Sequence, residues 1–453
     1  MEIVIVGGGL VGSLLAIMLG RRNYRVHVFE RRSDMRRSGY AGGRSINLAL
    51  SDRGIRALER AGIADRILPN TIPMRGRMIH GEDSTLDFQP YGVGGQAIRS
   101  LARGLLNRML LDAADDFENV TLEFEWRCVG VDPERPEARF VHMHSGQERT
   151  VACDVLIGAD GAFSAVREAL RVRDRYNYCQ EYLDYGYKEL SIPAAVGGGF
   201  RIEPNALHIW PRHNFMMIAL PNVDGTFTCT LFLPFEGDPS FDKLKDPNSV
   251  VSFFERYFPD ALVQMPTVVE DFFRNPLSSL VTIRCYPWVV GRTALIGDAA
   301  HAIVPFYGQG MNAGFEDCRI LDELLDQTGE DWDAALAEYQ RIRKPAGDAV
   351  AQLALDNFVE MRDKVADRRF LLRKKIEVLL YEHFPDLYTP LYTLVTFTPD
   401  VAYDEAYRRG QANERIISTI MEIEDISERW DDPAMLEQYR QILERHRWDV
   451  LHA

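Results

Sequence analysis

The first residues that could do chemistry form a glycine-rich turn near the N-terminus. Gly7-Gly8-Gly9-Leu10-Val11-Gly12 fits the GxGxxG pattern, follows the apolar run 2–6 and opens a segment with helical spacing. Its three glycines permit a tight strand-to-helix bend, close approach of a pyrophosphate and close helix packing. Glu30 ends the next strand, 18 residues after Gly12, where a carboxylate can accept hydrogen bonds from a ribose diol. The pattern predicts a dinucleotide site at a helix N-terminus.

Two further strand-to-helix junctions carry polar groups. In residues 153–167 an apolar strand ends at Asp160-Gly161, and Ser164 is positioned to cap the following helix. In residues 297–313 a strand delivers Asp298 to a turn, and a glycine-rich loop leads into another helix. Asp298 could bond a ribityl hydroxyl, and the backbone N–H groups of 309–312 could face a flavin ring. These are the contacts that a flavin dinucleotide needs.

The surrounding pattern indicates which elements position these motifs. Short apolar runs at 2–6, 25–29, 155–157 and 293–297 predict buried parallel strands. Residues 71–92 and the alternating, β-branched stretch 183–235 predict antiparallel strands. Helical spacing is found at 51–67, 97–116, 333–341, 346–366, 368–382, 403–424 and 433–447.

Composition excludes several classes of protein. The 453 residues are 46% hydrophobic and 26% charged, as in ordinary globular chains. A net charge of −15 without a long Lys/Arg block argues against nucleic-acid binding. Six widely spaced cysteines and ten histidines show no metal-ligand or redox spacing, so we expect no metal site and a reducing compartment. Without a signal-like N-terminus or a long apolar span, we expect a cytoplasmic protein with no membrane partner.

Taken together in this order, the three motifs resemble those of the FAD-dependent aromatic hydroxylases, and the resemblance covers nearly the whole chain. Longer strings narrow it to the kynurenine 3-monooxygenase family; they lie at 43–51, 72–80, 207–212, 227–232, 301–317 and 391–397. The resemblance implies that NADPH transiently reduces non-covalent FAD, that oxygen adds at the flavin C4a, and that L-kynurenine becomes 3-hydroxy-L-kynurenine during tryptophan catabolism. Eukaryotic members carry a C-terminal membrane anchor. This chain ends without an apolar span and is similar to the bacterial form.

The resemblance also implies an α/β fold: a Rossmann-type FAD-binding domain, an inserted, mostly antiparallel substrate-domain sheet and a C-terminal helical region. We expect FAD-binding segments at 1–75, 97–175 and 286–330. Substrate-domain segments are expected at 76–96 and 176–285, and the helical region at 331–453. The sequence does not decide the oligomeric state, and a homodimer is one option.

The substrate residues follow from the same resemblance. Kynurenine carries a carboxylate that a fork-like cation can bind, and Arg77 stands at the family's position for that clamp, with Tyr91 as its partner. Asn357 and Tyr392 match further polar contacts from the helical region. The expected apolar wall comprises Leu207, Met216, Ile218, Leu220, Phe232, Pro305 and Phe306. Tyr307 stands at a position that varies within the family, and its role is open.

The family's cofactor contacts fall on several separate segments. Arg103 lies in the helix that reaches the cofactor phosphates, and Arg31, Arg32 and Arg44 are further candidates. The remaining expected contacts are Gly7, Gly9, Leu10, Val11, Gly12, Glu30, Ala49, Cys128, Asp298, Gly310, Met311 and Asn312.

Three alternatives remain open at this stage. One is a flavin hydroxylase of another aminoaryl or phenolic carboxylic acid, because Arg77 and Tyr91 indicate a carboxylate but not a particular ring. The second is a flavoprotein reductase of isoprenoid or lipid chains, which would call for a long apolar channel and no carboxylate clamp. The third is a non-catalytic flavin-binding sensor. It is disfavoured because the sequence contains the segments that resemble the family's substrate pocket as well as those that resemble its flavin site.

Overall fold

A computed structural model describes residues 1–38, 47–92, 94–361 and 367–451. The strands are β1 (Glu2–Val6), β2 (Arg25–Glu30), β3 (Asn47–Leu50), β4 (Ile72–Met74), β5 (Gly76–His80), β6 (Leu86–Pro90), β7 (Ile98–Ala102), β8 (Val120–Phe124), β9 (Trp126–Asp132), β10 (Glu137–His142), β11 (Glu148–Ala152), β12 (Val155–Gly158), β13 (Asn177–Ile192), β14 (Ala206–Arg212), β15 (Phe215–Pro221), β16 (Phe227–Pro234), β17 (Ser278–Tyr286), β18 (Val289–Val290) and β19 (Thr293–Leu295). The helices are α1 (Leu10–Arg21), α2 (Met35–Ser38), α3 (Asp52–Ala61), α4 (Ala64–Ile67), α5 (Arg103–Asp115), α6 (Ala165–Arg171), α7 (Pro247–Tyr257), α8 (Pro259–Leu262), α9 (Val268–Arg274), α10 (Asp298–His301), α11 (Gly310–Gln327), α12 (Trp332–Val359), α13 (Arg368–His383), α14 (Leu391–Thr396), α15 (Tyr403–Met421), α16 (Ile426–Arg429) and α17 (Pro433–Leu451).

A six-stranded sheet, in the order β18-β19-β12-β1-β2-β8, brings the three polar junctions together. β1 pairs in parallel with β2 and β12, and β12 pairs in parallel with β19. The carboxyl ends of β1, β12 and β19 are therefore neighbours, and the turns at Gly7, Asp160 and Gly297 follow them directly. The strand residues Ile3, Val4 and Ile5 are fully buried, because a parallel sheet of this kind is covered on both faces.

A seven-stranded sheet, in the order β17-β13-β16-β15-β14-β5-β6, forms the second layer. Its neighbouring strands are antiparallel, except that β14 and β5 run parallel. One face packs on α7, α8 and α9 through an apolar cluster that includes Trp210, Phe254 and Phe272. The other face packs on α12, α14 and α15. The two sheets and the helices after residue 331 confirm the predicted α/β fold with an inserted, mostly antiparallel sheet.

The C-terminal helices form a layer of their own on the remainder of the molecule. Helices α13, α15 and α17 share an apolar cluster around Ile376, Ile416 and Tyr439. Across the described residues, every helix is either too short or too polar to cross a membrane.

The helix predicted over 97–116 is wrong in its first part. Residues Ile98–Ala102 form strand β7, which pairs antiparallel with β3 and β4, and the helix begins at Arg103. The spacing of apolar residues in so short a run fits a strand as well as a helix. Pairing with two distant strands decides between them.

The predicted break between helices at 341 and 346 is also wrong. Helix α12 continues from Trp332 to Val359 with Pro345 inside it. Proline removes one backbone donor and crowds the preceding turn, but tertiary packing on both sides holds this helix together. Arg343 is buried in ion pairs with α11, and a Cβ on Gly347 would lie 2.9 Å from the Trp288 ring.

Candidate active site

The glycine turn after β1 has no room for a side chain at two of its glycines and has room for one at a third. A Cβ on Gly7 would lie 2.4 Å from the Ala159 carbonyl oxygen, and one on Gly12 would lie 1.9 Å from the Gly7 carbonyl oxygen. A Cβ on Gly9 would meet no described atom within 4 Å. Leu10 and Val11 begin α1, which has no side-chain cap, so the first N–H groups of the helix are available to an anion. The turn therefore fits the diphosphate of a dinucleotide.

Glu30 closes the same turn from the end of β2. One of its carboxylate oxygens accepts from the Gly8 N–H at 2.9 Å, and the other accepts from the Arg32 N–H at 2.9 Å. Each oxygen keeps a second lone pair, so a ribose hydroxyl can still donate to this half-buried carboxylate. Arg31 and Arg32 are exposed, and Arg44 lies outside the described residues.

Helix α5 approaches the glycine turn from the other side. Arg103 is its first residue and is exposed, and Asn107 one turn later donates to the Gly8 carbonyl oxygen at 3.2 Å. This bond places the Arg103 end of α5 beside the open position at Gly9. Cys128 lies half-buried on β9, and burial raises the pKa of its thiol to about 12, so the thiol is neutral at physiological pH.

The loop after β19 presents a second helix N-terminus at this edge of the sheet. Asp298 begins α10 and is half-buried. The N–H groups of Gly310, Met311 and Asn312 precede the first backbone bond of α11, which runs from the Ala313 N–H to the Gln309 carbonyl oxygen at 2.8 Å. They therefore remain available to a flavin.

The Asn312 side chain forms its hydrogen bonds within the protein. Its amide nitrogen donates to the carbonyl oxygens of Ala49 at 2.9 Å and Gly308 at 2.8 Å, and its oxygen accepts from the Ser51 N–H at 3.0 Å. Both amide protons are thus used within the protein. The side chain joins β3 to the loop that carries the flavin-facing N–H groups, which leaves the backbone of Asn312 for a cofactor.

Beneath this loop lies a buried ion network that the sequence did not indicate. Glu316 binds Arg53 at 2.8 Å and Arg343 at 2.6 Å, while Asp317 binds Arg343 and His301, each at 2.6 Å. Burial opposes ionisation, but the arginines outweigh it at Glu316, and His301 and Arg343 outweigh it at Asp317. The pKa of each carboxyl is therefore lowered. Asp317 also accepts from the Gly297 N–H at 3.0 Å, so the network fixes the turn before Asp298.

One face of the seven-stranded sheet gathers most of the expected substrate residues. Residues paired directly across neighbouring strands point to the same face, and alternate residues along a strand share a face. Leu207 pairs with Arg77, and Met216 pairs with Phe232. The register places on this face Arg77, Leu207, Met216, Ile218, Leu220 and Phe232.

Arg77 projects from this face into a stack of tyrosines. Its guanidinium carbon lies 5.0 Å from the Tyr392 ring centre and 5.8 Å from that of Tyr91. The Tyr91 and Tyr392 rings are stacked at 5.0 Å, and Tyr307 stacks on the other side of Tyr392 at 5.6 Å. Within the described part of the chain, Arg77 Nε and the Tyr91 hydroxyl are buried without a hydrogen-bond partner. Unpaired buried donors of this kind call for a ligand.

Asn357 and the turn before α11 complete the pocket. The Asn357 amide donates to the Phe306 carbonyl oxygen at 2.7 Å. Phe306 packs between Phe232, at 4.9 Å between ring centres, and Phe358, at 4.2 Å. Pro305 begins this turn and is half-buried. Arg77, Tyr91, Tyr307, Asn357 and Tyr392 line a common cavity of about 1220 Å³.

Comparisons with known proteins agree with this geometry. A family model described as FAD binding domain matches residues 1–354. Kynurenine 3-monooxygenase of Christiangramia forsetii is 47% identical over 98% of this chain and 99% of its own length, and that of Sus scrofa is 44% identical over 93% and 88%. In fold, the tetrameric form of 2-methyl-3-hydroxypyridine-5-carboxylic acid oxygenase superposes with a TM-score of 0.67 at 21% identity, covering 84% of this chain and 97% of that one. The chain belongs to the kynurenine 3-monooxygenase family of FAD-binding proteins.

Proposed function

We propose that this protein hydroxylates L-kynurenine at the ring carbon next to its amine, consuming NADPH and oxygen and yielding 3-hydroxy-L-kynurenine, NADP⁺ and water. One observation of the structure carries the proposal: a half-buried arginine, whose Nε is buried and unpaired among the described residues, lines a cavity together with Tyr307 from the turn before α11. The relatives named kynurenine 3-monooxygenase support the choice of ring. A cytoplasmic location is part of the proposal, and six free cysteines are in keeping with it.

The cofactor contributes the redox chemistry, and the protein positions the substrate and excludes water. Bound non-covalently, FAD supplies hydride acceptance from NADPH and activation of oxygen. The open position at Gly9 and the N-termini of α1 and α11 would hold its diphosphate and ring system. Glu30, Arg103 and Asp298 would add contacts to the ribose, phosphate and ribityl groups.

Arg77 would bind the substrate carboxylate. A guanidinium stays charged even when buried and can form two parallel hydrogen bonds to a carboxylate. Burial raises the pKa of the Tyr91 phenol well above its usual value, so this hydroxyl stays neutral and can donate to the same carboxylate. The two donors would fix one end of the substrate.

The apolar wall would hold the aromatic ring and exclude water. Leu207, Ile218 and Leu220 cluster with Tyr91 and Tyr392, and Met216, Phe232 and Phe306 belong to the larger apolar cluster on the same face of the sheet. Excluding water limits wasteful loss of the activated oxygen as peroxide. Substrate in this pocket would also complete the apolar surface next to the flavin.

The proposal is tested by anaerobic mixing of the FAD-loaded protein with NADPH, with and without L-kynurenine, followed by oxygen and product analysis. We expect L-kynurenine to accelerate flavin reduction and 3-hydroxy-L-kynurenine to be the product. Equal reduction rates would refute a substrate trigger. Hydroxylation of another aminoaryl or phenolic acid in preference to L-kynurenine would refute the substrate assignment.

The flavin site has its own test in Gly9→Val. A Cβ at this position meets no described protein atom within 4 Å, and Gly9 does not need a positive φ, so we expect the variant to fold. It should nevertheless purify mostly without FAD, because the added methyl groups occupy the pyrophosphate space. Far-ultraviolet circular dichroism and flavin absorbance measure the two properties separately. Stoichiometric FAD in the folded variant would overturn the assignment of this turn.

A further inference from the structure

The loop before α11 is held in place by side chains from two regions of the molecule. Asn312 joins it to β3 and Ser51. A second attachment comes from Gln309, which is buried and directly precedes the flavin-facing N–H groups. The side-chain oxygen of Gln309 accepts from the Tyr403 hydroxyl at 2.9 Å, and Tyr403 is the first residue of α15. The C-terminal helical region therefore reaches the flavin-facing loop directly.

The hydrogen bond from Tyr403 fixes the first turn of α11. Tyr403 is fully buried, and burial raises the pKa of its phenol, so the hydroxyl stays protonated and can donate. The Gln309 oxygen also lies 3.5 Å from Ser51 Oγ, which is a longer and weaker contact. The Gln309 carbonyl oxygen accepts the first backbone bond of α11, from the Ala313 N–H at 2.8 Å. A bond that fixes Gln309 therefore also fixes the start of this helix.

The ring of Tyr403 is itself held by Arg53. The guanidinium carbon of Arg53 lies 4.1 Å from the ring centre. The same guanidinium donates to three backbone carbonyl oxygens in α14 and the segment that follows it, at 2.5–3.1 Å, and binds Glu316 of α11 at 2.8 Å. Because a buried guanidinium with this many acceptors has little freedom to move, the Tyr403 hydroxyl is presented to Gln309 by a rigid surrounding.

A second buried tyrosine of the helical region forms the same kind of bond in a different place. The Tyr439 hydroxyl donates to the Trp430 carbonyl oxygen at 3.0 Å. Tyr439 belongs to an apolar cluster drawn entirely from the helices after residue 367. Both phenols are fully buried and both donate one hydrogen bond, but Tyr439 joins the helical region to itself, whereas Tyr403 joins it to the loop before α11. Tyr439 is therefore a matched control for Tyr403.

We propose that Tyr403 is a positioning residue for the flavin: by fixing Gln309, its hydroxyl holds the loop that faces the flavin ring. This inference rests on the proposed function, because it requires that the N–H groups of residues 310–312 contact FAD. Tyr403 acts through Gln309. Reaction rates are sensitive to displacements of less than an ångström in the groups that align the reactants, so a loosened loop should slow flavin reduction and weaken the hold on FAD.

The test is Tyr403→Phe, which removes the hydroxyl and keeps the ring beneath Arg53. Three quantities are measured on the FAD-loaded protein: FAD release by flavin fluorescence after dilution, L-kynurenine affinity by perturbation of the flavin spectrum, and flavin reduction by NADPH at saturating L-kynurenine. Release should be faster and reduction slower, each by about two- to ten-fold, as expected for losing one hydrogen bond. L-Kynurenine affinity should stay within about two-fold of wild type, because Arg77, Tyr91 and Tyr392 are unchanged.

Two further variants make the result specific. Tyr439→Phe removes the matched hydrogen bond and should lower the melting temperature about as much as Tyr403→Phe does, while FAD release and flavin reduction stay at their wild-type rates. Gln309→Met removes the acceptor of the Tyr403 hydroxyl and should change both rates in the same direction as Tyr403→Phe. Adding Tyr403→Phe to Gln309→Met should then have no further effect on either rate, because two residues that act through one bond are not additive.

The contrary outcomes are equally decisive. Unchanged rates in Tyr403→Phe, or equal changes in Tyr403→Phe and Tyr439→Phe, would mean that the bond contributes only to the stability of the helical region. Additive effects in the double variant would mean that Tyr403 does not act through Gln309. A loss confined to L-kynurenine affinity would assign Tyr403 to the substrate site. Each of these results overturns this inference and leaves the proposed function standing, whereas failure of wild type to hydroxylate L-kynurenine would overturn the proposed function itself.

Discussion

On one face of the seven-stranded sheet, Arg77 and Tyr91 keep buried polar atoms without partners in the described chain. On the opposite face, three residues further along the same strand, both ring nitrogens of His80 are bonded. His80 Nδ1 lies 2.7 Å from Asp260, and His80 Nε2 lies 2.8 Å from Nδ1 of His208. Asp260 also accepts from Trp210 at 2.8 Å. The same strand therefore carries an unpaired guanidinium nitrogen on one face and a hydrogen-bonded histidine on the other.

Proton counting assigns the donors and acceptors of the two histidines, while Asp260 Oδ1 is buried without a partner among the described residues. Nε2 of His208 lies 2.8 Å from the Glu203 carbonyl oxygen, which can only accept, so this nitrogen donates. Nδ1 of His208 must then accept from His80, and His80 donates its other proton to Asp260. With one His80 N–H directed at Asp260 and the other at His208, all three bonds have a donor and an acceptor. The ring nitrogens of both histidines are therefore paired within the protein, whereas Arg77 Nε on the other face keeps an unused donor that a ligand could take.

The largest expected effect is on ligand binding, from Arg77→Met. L-Kynurenine affinity should fall about ten- to several-hundred-fold, because a charge-assisted pair is worth about 1.5–3 kcal/mol and more when a partner is left unpaired. The free energy of unfolding should change by less than about 1 kcal/mol, since no carboxylate among the described residues forms an ion pair with Arg77. Flavin titrations and denaturant unfolding measure the two quantities. A kynurenine analogue without the carboxylate should bind both proteins equally weakly, and selective loss of that analogue in the variant would contradict the clamp.

The second-largest effect is a loss of stability, which we expect from Asp260→Asn on the opposite face of the sheet. Removing the carboxylate takes away the charged acceptor of the buried His80 ring and of the Trp210 N–H, and should destabilise the protein by about 2–3 kcal/mol. L-Kynurenine affinity should stay within about two-fold of wild type. A large loss of affinity at unchanged stability would mean that the two faces are not separate in function.

The third effect is a pH dependence of the stability, and it arises from His208 on the opposite face of the sheet. Burial lowers the pKa of His208 to about 4, from about 6.5 in the unfolded chain. Its neutral form therefore stabilises the fold above pH 6.5, and this contribution is lost as the pH falls from 6.5 towards 4. Between pH 7 and pH 5 the loss should be about 2 kcal/mol. His208→Gln should show a correspondingly weaker pH dependence of unfolding, and an unchanged dependence would exclude His208 as its source.

The smallest effect is expected from Tyr91→Phe. Because the hydroxyl has no partner in the described chain, its removal should leave stability unchanged or slightly improved. L-Kynurenine binding should weaken by about 0.5–1.5 kcal/mol, the value of one hydrogen bond. Isothermal titration and thermal unfolding report the two changes. A loss of stability without a change in affinity would assign the phenol to the scaffold.

The sequence pattern predicted the features that depend on residues close together in the chain. The glycine spacing, the apolar strand at 2–6 and Glu30 follow from a single strand-helix-strand unit. Alternation with a period of two explains why five of the expected wall residues, Leu207, Met216, Ile218, Leu220 and Phe232, share one face of a sheet.

Other features depend on contacts between distant residues and left no signal in the sequence. Arg53 and Glu316 form an ion pair across 263 positions, and β7 became a strand only through its pairing with β3 and β4. Tyr307 was left open because nothing near it in sequence shows that Tyr392 stacks on it. The saturation of Asn312 by Ala49 and Gly308 likewise required the fold.

One measurement tests the separation of the two faces most directly: unfolding of the FAD-loaded protein with and without saturating L-kynurenine, in Arg77→Met and in Asp260→Asn. A ligand at 100 times its dissociation constant adds about 2.7 kcal/mol to the stability of the folded state. We predict that Arg77→Met keeps its stability without ligand and loses most of this increment, whereas Asp260→Asn loses stability and keeps the increment. If Arg77→Met were as destabilised without ligand as Asp260→Asn and still gained the full increment, Arg77 would belong to the scaffold and the proposed substrate site would be contradicted.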